Sequence, residues 1–186
     1  MRELIIGGAR SGKSLLAERR AGESGLQVLY LATAQALDGE MAQRVAHHRQ
    51  RRCADWGLVE EPLDLAGALR RHAAPGVCLL VDCLTLWLSN LLFAGDAAGQ
   101  AAAGETIACA RLAAAIDDLI ETLPHLPGQI ILVSNEVGWG VVPMAALSRV
   151  FADEQGRLNQ RVAAVCESVS LVVAGLPLAL KDQLAR

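Results

Sequence analysis

Aromatic side chains are scarce in this chain: they make up 3% of its 186 residues, although 53% of the residues are hydrophobic. An interior with so few rings has to be built mainly from Ala, Leu and Val, which is typical of helices layered on a parallel sheet. Positive charge is not in excess either, because the formal net charge is −3. This acidic balance argues against non-specific nucleic-acid binding as the main task.

The chain also lacks an uninterrupted apolar run that is long enough to cross a membrane. Its longest apolar stretch, residues 77–94, is interrupted by Asp82, Thr85, Ser89 and Asn90. Each of these side chains is costly inside a bilayer. We therefore expect a buried strand followed by a helix there, and no membrane span. Charged residues at positions 2 and 3 lead straight into the first apolar stretch, so no signal peptide is expected.

Cysteine usage argues against two kinds of scaffold. The five cysteines are odd in number and never spaced C-x-x-C; they are Cys53, Cys78, Cys83, Cys109 and Cys166. Structural zinc and a disulfide framework are both disfavoured by this pattern. The expectation is a set of buried free thiols in a protein of the reducing cytoplasm.

The strongest motif in the chain is Gly7-Gly8-Ala9-Arg10-Ser11-Gly12-Lys13-Ser14. It follows an apolar stretch at positions 4–6 and runs into a good helix-forming segment at positions 15–20, as a phosphate-binding loop does. Gly7 and Gly12 permit turns that a Cβ would block, and the backbone N–H groups of the eight residues then form an anion cradle. Lys13 can reach the β- and γ-phosphates, and the Ser14 hydroxyl can ligate Mg²⁺. A chance Gly-rich turn would not need both flanks to fit, so we predict that the chain binds a nucleoside triphosphate.

Strand and helix patterns alternate along the whole chain, which predicts one α/β domain, residues 1–186, with a mostly parallel sheet flanked by helices. Strands are predicted at 4–6, 27–31, 56–61, 77–81, 129–134, 169–174 and 178–180. Helices are predicted at 39–52, 63–72, 84–93, 105–123 and 143–166, with turns at 22–25 and a mobile surface loop at 94–104. The run at 77–81 shows no alternation, as expected inside a parallel sheet.

Asp82 closes the strand at 77–81, which is the position and residue type of a Walker B acid. A carboxylate beside the phosphate loop can hold Mg²⁺ directly or through water. The alternative is an Asp that caps the following helix. The two roles are compatible, and the phosphate loop favours the metal role.

A basic cluster occupies the helix predicted at 39–52: it consists of Arg44, His47, His48, Arg49, Arg51 and Arg52. Adjacent helical residues point about 100° apart, so the two histidines cannot serve one site equally well. His47 lies with Arg44 and Arg51 at spacings of three and four. Beside guanidinium groups an imidazole stays neutral and nucleophilic, and the same groups can hold phosphate oxygens. From these residues alone, a solvated basic face is the favoured alternative.

A loop with a Glu, two glycines and a Trp follows the strand at 129–134. In open α/β sheets ligands sit beyond the carboxyl ends of strands, so this loop borders the site. Glu136 can assist a metal or accept a hydroxyl proton. Trp139 can stack on a flat ligand or a base, and the alternative is a turn with a half-buried Trp. The sequence leaves open whether Trp139 or Trp87 touches the ligand. Further along, Arg157 or Arg161 can reach phosphates, although composition favours surface ion pairs.

These motifs together resemble the bifunctional adenosylcobinamide kinase/adenosylcobinamide-phosphate guanylyltransferase family over essentially the whole chain. The resemblance rests on the phosphate loop and on five further blocks, which are residues 30–34, 38–41 with 47–49, 82–92, 134–143 and 156–161. Each block alone is modest, and their order and spacing are very specific. The residues from 94 to 104 are the least family-like piece.

The resemblance implies a RecA-like sheet and a homo-oligomer, namely a trimer. It also implies two reactions at one phosphate-binding centre. The first phosphorylates adenosylcobinamide with ATP or GTP. The second attaches GMP from GTP to a histidine and passes it to adenosylcobinamide phosphate, giving adenosylcobinamide-GDP. The guanylylated histidine of the family matches His47 here. Lys13 and Glu136 are then expected as catalytic residues, Arg44 and Arg51 as nucleotide-binding residues, and Ser14 and Asp82 as Mg²⁺ ligands.

Two other functions compete with this interpretation. One is a phosphate-loop kinase of another small alcohol, in which His47 has no chemical role. The other is a RecA-like, nucleotide-gated module that binds nucleic acid through the basic helix. The acidic balance and the scarcity of aromatic side chains for base stacking argue against this module.

Overall fold

A seven-stranded sheet forms the centre of the computed structural model, which describes residues 1–34, 55–105, 107 and 109–182. The strand order is β3-β2-β4-β5-β1-β6-β7, and only β7 runs antiparallel to its neighbour. The strands are β1 (Arg2–Gly7), β2 (Gln27–Ala32), β3 (Gly57–Glu60), β4 (Val77–Asp82), β5 (Gln129–Asn135), β6 (Ser168–Val173) and β7 (Leu176–Asp182). The predicted α/β class with a mostly parallel sheet is confirmed.

Helices cover both faces of this sheet. They are α1 (Lys13–Glu23), α2 (Leu65–His72), α3 (Leu84–Phe93), α4 (Ala97–Ala102), α5 (Ala110–Thr122) and α6 (Ala146–Val165), with a 3₁₀ turn at Leu123–His125. On one face α1 packs through Leu16, Ala17 and Ala21. On the other face α2, α3, α5 and α6 form the larger core, to which Leu65, Leu88, Leu119 and Leu158 each contribute a buried side chain.

The central strands are buried on both faces, which explains their lack of alternation. In β1, β4 and β5 every residue from the second to the fifth is buried. A strand between two helical layers has no solvent face, so its sequence is apolar throughout.

None of the helices in the described ranges has both the length and the apolar character that crossing a membrane requires. The four cysteines in the described part of the chain are free thiols.

Several predicted boundaries need correction. The segment 94–104 is not a loop throughout, because α4 occupies Ala97–Ala102 and Ala97 is buried against the larger core. An Ala-rich run has high intrinsic helix propensity, and this contact stabilises it as a helix. The helix predicted at 105–123 begins at Ala110, and the one predicted at 143–166 begins at Ala146. The first helix continues to Glu23, within the predicted turn. The helix predicted at 39–52 lies outside the described residues.

Candidate nucleotide-binding site

The carboxyl ends of three adjacent strands define the site. Gly7 ends β1, Asp82 ends β4 and Asn135 ends β5, and β5 lies between β4 and β1 in the sheet. Gly7 is in register with Asn135, and Asp82 with Val133. The phosphate loop, the candidate Walker B acid and the loop after β5 therefore meet at one edge, where ligands bind in open α/β sheets.

The phosphate loop, residues 7–14, has a defined backbone that its glycines permit. A Cβ on Gly7 would lie 2.5 Å from the carbonyl oxygen of Val172, and Gly12 has a φ of 98°. The N–H of Ser11 donates to the Gly8 carbonyl at 3.2 Å, and the N–H of Gly175 donates to the Ser11 carbonyl at 2.8 Å. Residues 8–10 at the top of the loop are exposed. Backbone hydrogen bonds thus fix the loop, while residues 8–10 stay accessible to solvent, as a phosphate-binding loop requires.

Lys13 begins α1 and is 8% exposed. Its Nζ donates a hydrogen bond to the carbonyl oxygen of Gly8 at 3.1 Å, so the side chain folds back over the loop. Burial lowers the pKa of Lys13, and the negative charge of Asp82 opposes that shift. The structure thus places the Lys13 ammonium group beside the backbone of the loop.

Asp82 is oriented by a neighbouring strand rather than by the helix after it. The hydroxyl of Tyr30 donates to Asp82 Oδ2 at 2.8 Å. Cys83 is the N-cap of α3, and no side chain caps that helix. The helix-capping alternative for Asp82 is therefore not what the structure shows. The carboxylate is half-buried at the sheet edge beside Lys13.

A buried threonine ties the ends of β2 and β4 together. Thr33 Oγ1 donates to the Cys83 carbonyl at 2.7 Å and accepts from the Cys83 N–H at 2.9 Å. The Asn90 side-chain amide donates to the carbonyl oxygens of Thr33 at 2.7 Å and of Pro62 at 3.1 Å. Sequence reasoning did not assign this role, although Asn90 in a mostly apolar helix was a usable signal.

The end of β5 is bonded to both of its neighbours. The Glu136 N–H donates to the Gly7 carbonyl at 3.1 Å, and the Asn135 N–H donates to Thr85 Oγ1 at 2.8 Å. These bonds attach the root of the loop after β5 to the phosphate loop on one side and to α3 on the other. The Glu136 side chain, half-buried, starts from this anchored position.

A buried polar network lies beneath that root and joins β5 to α6. Ser134 Oγ donates to Asn159 Oδ1 at 2.6 Å, and the Gln155 amide donates to both oxygens at 2.9 and 3.0 Å. The Asn159 amide donates to the Asn135 carbonyl at 3.0 Å. Ser134, Gln155 and Asn159 are each 5% exposed or less. Such a network fixes one arrangement of the strand end, because each lost partner would leave a buried polar group unpaired.

Two tryptophans that the sequence left undecided are now distinguished. Trp87 is 1% exposed and its Nε1 donates to the Leu63 carbonyl at 2.8 Å, so it belongs to the core. Trp139 is 72% exposed in the loop after β5. The alternative of a half-buried Trp in that loop is therefore wrong.

Other predicted residues lie elsewhere. Arg161 pairs with Asp117 at 2.7 Å, and Arg157 pairs with Glu154, which is the surface ion pairing that composition favours. Arg44, His47 and Arg51 fall in residues 35–54, outside the described part of the chain. Their contribution to the site stays a prediction.

Solved structures share this fold at low sequence identity. The assembled ATPase EscN of the enteropathogenic E. coli type III secretion system aligns with a TM-score of 0.51 and 15% identity. The alignment covers 93% of this chain and 43% of the EscN chain, so this chain spans less than half of EscN. A protein from Pyrococcus horikoshii OT3, from Project ID PH0250, aligns with a TM-score of 0.55 and 10% identity over 97% of this chain and 86% of that one. These likenesses show the fold alone.

Sequence relatives are much nearer. The bifunctional adenosylcobalamin biosynthesis protein CobP of Pseudomonas aeruginosa is 58% identical over 183 residues, which is 98% of this chain and 99% of the relative. The bifunctional adenosylcobalamin biosynthesis protein CobU of Salmonella typhimurium is 43% identical, covering 96% of this chain and 98% of the relative. CobU of Escherichia coli K12 is 42% identical over the same share of both chains. A family model also matches residues 3–180. This chain belongs to the cobinamide kinase / cobinamide phosphate guanyltransferase family.

Proposed function

We propose that this chain catalyses two successive steps of cobalamin biosynthesis at one phosphate-binding centre. It phosphorylates adenosylcobinamide with ATP or GTP, and it then transfers GMP from GTP to adenosylcobinamide phosphate to give adenosylcobinamide-GDP. The observation that carries this proposal is a formed phosphate loop with Lys13 folded over it, in a chain that matches this family from residue 3 to residue 180.

The nucleotide triphosphate is held by the phosphate loop. Gly7, Gly8, Ala9, Arg10, Ser11, Gly12, Lys13 and Ser14 supply backbone N–H groups that face the phosphates, and the N-terminus of α1 adds its dipole. Lys13 gives up its bond to the Gly8 carbonyl and donates to the β- and γ-phosphates. This neutralises the charge that develops on the leaving group.

The oxygen donors at the sheet edge fit Mg²⁺. Ser14 follows Lys13 in α1, and Asp82 ends β4 beside the loop. Within the described ranges no three His, Cys, Asp or Glu side chains form a metal-ligand group. Mg²⁺ in such enzymes takes one or two protein oxygens and completes its shell with phosphate oxygens and water. When bound, Mg²⁺ would neutralise phosphate charge, with Ser14 and Asp82 as its protein ligands.

Glu136 is our candidate for the general base of the kinase step. The hydroxyl oxygen of the substrate attacks the γ-phosphorus, its proton passes to the Glu136 carboxylate, and the bond to the leaving diphosphate breaks. The proposal is supported by the anchoring of the Glu136 backbone to Gly7 at 3.1 Å. That bond fixes the backbone of Glu136 beside the phosphate loop, from where its carboxylate would accept the proton.

His47 is our candidate nucleophile for the guanylyl transfer. A neutral imidazole nitrogen attacks the α-phosphorus of GTP, a P–N bond forms, and pyrophosphate leaves. The phosphate oxygen of adenosylcobinamide phosphate then attacks the same phosphorus and the P–N bond breaks. Arg44 and Arg51, three and four positions away in the sequence, would hold the α-phosphate oxygens. The support is the resemblance of the motif and this spacing.

A homo-oligomer, a trimer by resemblance, accords with an apolar edge of the sheet. Leu176, Leu178 and Leu180 in β7 are 73%, 58% and 53% exposed, and Val173 in β6 is 53% exposed. An exposed apolar edge strand is a surface that a partner chain usually covers. Sedimentation of the purified chain would measure the assembly directly.

The buried thiols support the proposed cytoplasmic location. Cys78, Cys83 and Cys166 are buried and free, and burial raises the pKa of Cys83 and of Cys166 to about 12. Free thiols persist where the compartment is reducing.

The two activities can be separated in one experiment. Purified wild-type protein is incubated with adenosylcobinamide and ATP and then with GTP, and the corrinoid products are identified by mass. We expect a mass increase of one phosphate, followed by addition of GMP. The variant His47→Ala should retain phosphorylation and lose GMP transfer, while the neighbouring variant His48→Ala keeps both. A wild-type protein that modifies another small alcohol and leaves adenosylcobinamide unchanged would refute the proposal.

A further inference from the structure

The loop between β5 and α6 exposes a group of large apolar side chains beside the site. Trp139, Val141, Val142 and Met144 are 72%, 96%, 72% and 95% exposed. Four such residues within six positions form a local apolar surface, whereas scattered single exposed residues are ordinary. Gly138 and Gly140 separate Trp139 from its neighbours and present it on a turn. A surface of this kind indicates a binding region.

The position of the loop links this surface to the phosphate loop. Its first residue, Glu136, is bonded through its backbone N–H to the Gly7 carbonyl. Trp139 follows three residues later, so its Cα lies within roughly 11 Å of that of Glu136. The β5 strand lies between β4 and β1, so the loop emerges between Asp82 and the phosphate loop.

Trp139 is also the aromatic side chain best placed to meet a ligand at this edge. Phe93 is 63% exposed, but it ends α3, roughly 15 Å along the helix from Cys83 at the site. The remaining aromatic side chains are buried in the two cores or packed against them, and these are Tyr30, Trp56, Trp87 and Phe151.

We propose that Trp139, with the apolar side chains that follow it, binds the corrin macrocycle of the cobinamide substrate. This inference rests on the proposed function. The hydroxyl that receives the phosphoryl group has to reach the γ-phosphate, so the macrocycle, which is too large to enter the phosphate loop, stays outside it at the sheet edge. A corrin ring is broad and bears methyl groups on its faces. An indole covers such a face by stacking, and Val141, Val142 and Met144 supply flexible apolar contacts around it.

Three variants test the assignment. Trp139→Ala removes the ring, Trp139→Phe keeps an aromatic face, and Phe93→Ala is the matched control at an exposed aromatic away from the site. Equilibrium dialysis measures the binding of adenosylcobinamide by its visible absorbance, and the binding of ATP and GTP is measured separately. We expect Trp139→Ala to weaken corrinoid binding about tenfold or more and Trp139→Phe by about threefold. Phe93→Ala should match the wild type, and nucleotide affinity should be unchanged in all three.

Four outcomes would overturn the inference. Corrinoid affinity that is unaffected by Trp139→Ala would show that the loop does not touch the macrocycle. If Trp139→Ala instead weakened the binding of ATP or GTP, Trp139 would be assigned to the nucleobase of the nucleotide. An assembly that dissociates on Trp139→Ala, seen by sedimentation, would assign the loop to a subunit interface. In these three cases the proposed function stands if the wild type phosphorylates adenosylcobinamide. A wild type that neither binds nor phosphorylates it would overturn the proposed function and this inference together.

Discussion

Replacing Lys13 with Met removes one buried charge while keeping an unbranched side chain of similar length. Without nucleotide, Nζ bonds to one group among the described residues, the Gly8 carbonyl oxygen at 3.1 Å. A hydrogen bond from a charged donor stabilises the folded state by about 1.5–3 kcal/mol. Burial of the ammonium group destabilises the folded state by several kcal/mol and so offsets that contribution. Burial lowers the pKa of Lys13, which agrees with that cost. We therefore expect the free energy of unfolding of nucleotide-free Lys13→Met to lie within about 1 kcal/mol of the wild-type value.

With nucleotide present, the same substitution should remove most of the ligand's stabilising effect. Loss of charge-assisted bonds to phosphate, worth about 3 kcal/mol, weakens binding about 100-fold. At a nucleotide concentration of 100 times the wild-type Kd, the wild type gains about 2.7 kcal/mol of stability, and the variant gains about 0.4 kcal/mol.

Urea unfolding with and without ATP measures both quantities. The matched control is Lys181→Met, because Lys181 Nζ donates to the carbonyls of Ala163 and Ala164 at 3.0 and 3.1 Å, at the end of α6. That variant should lose about 1–2 kcal/mol without nucleotide and keep the full stabilisation by ATP. The reasoning is refuted if nucleotide-free Lys13→Met is several kcal/mol less stable than the wild type. It is equally refuted if the variant keeps the wild-type response to ATP.

Three further predictions concern the fold around the site. Gly7→Ala should cost at least about 2 kcal/mol of unfolding free energy, because its Cβ would overlap a backbone oxygen at 2.5 Å. Gly8→Ala, whose Cβ meets nothing within 4 Å, should change the unfolding free energy by less than about 0.5 kcal/mol. Equal losses of unfolding free energy in the two variants, measured by urea unfolding, would contradict the geometry. Asn159→Ala should cost about 3 kcal/mol of unfolding free energy, because Ser134, Gln155 and the Asn135 carbonyl each lose a hydrogen bond to Asn159, whereas the exposed Gln160→Ala should cost little; similar values for both variants would contradict the role of this network. Burial raises the pKa of Cys78 from 9.0 to about 11, so the folded state holds that proton more tightly. The contribution of this thiol to stability is intact below pH 9 and is lost as the pH rises towards 11. The unfolding free energy should therefore fall with pH in that window, and less steeply in Cys78→Ala than in the wild type. An equal slope in both proteins would contradict this contribution.

The phosphate loop and the central strands were predictable because their signals are local. Gly7 and Gly12 mark backbone geometry that a Cβ forbids, and apolar runs such as residues 77–81 mark strands buried on both faces. The order of the motifs placed Asp82 and Glu136 at one sheet edge, since the carboxyl ends of parallel strands converge there.

The bonds that hold the site were not predictable, because they join residues far apart in sequence. Thr33 binds Cys83 across 50 positions, and Ser134 binds Asn159 across 25. Neither pair has a spacing rule: the pairing of β2 with β4 brings Thr33 to Cys83, and the packing of α6 against the sheet brings Asn159 to Ser134. The segment 94–104 was misjudged for a related reason: its composition suggested a loop, and the burial of Ala97 against the core favours a helix.

The central claim is that GMP passes through His47, and one labelling measurement tests it. Wild-type protein, His47→Ala and His48→Ala are incubated with GTP labelled at the α-phosphate, denatured, and treated with acid or alkali. We predict label on the wild type and on His48→Ala that is lost in acid and kept in alkali, as a phosphoramidate requires, and no label on His47→Ala. Label that persists on His47→Ala, or that survives acid on the wild type, would contradict the account.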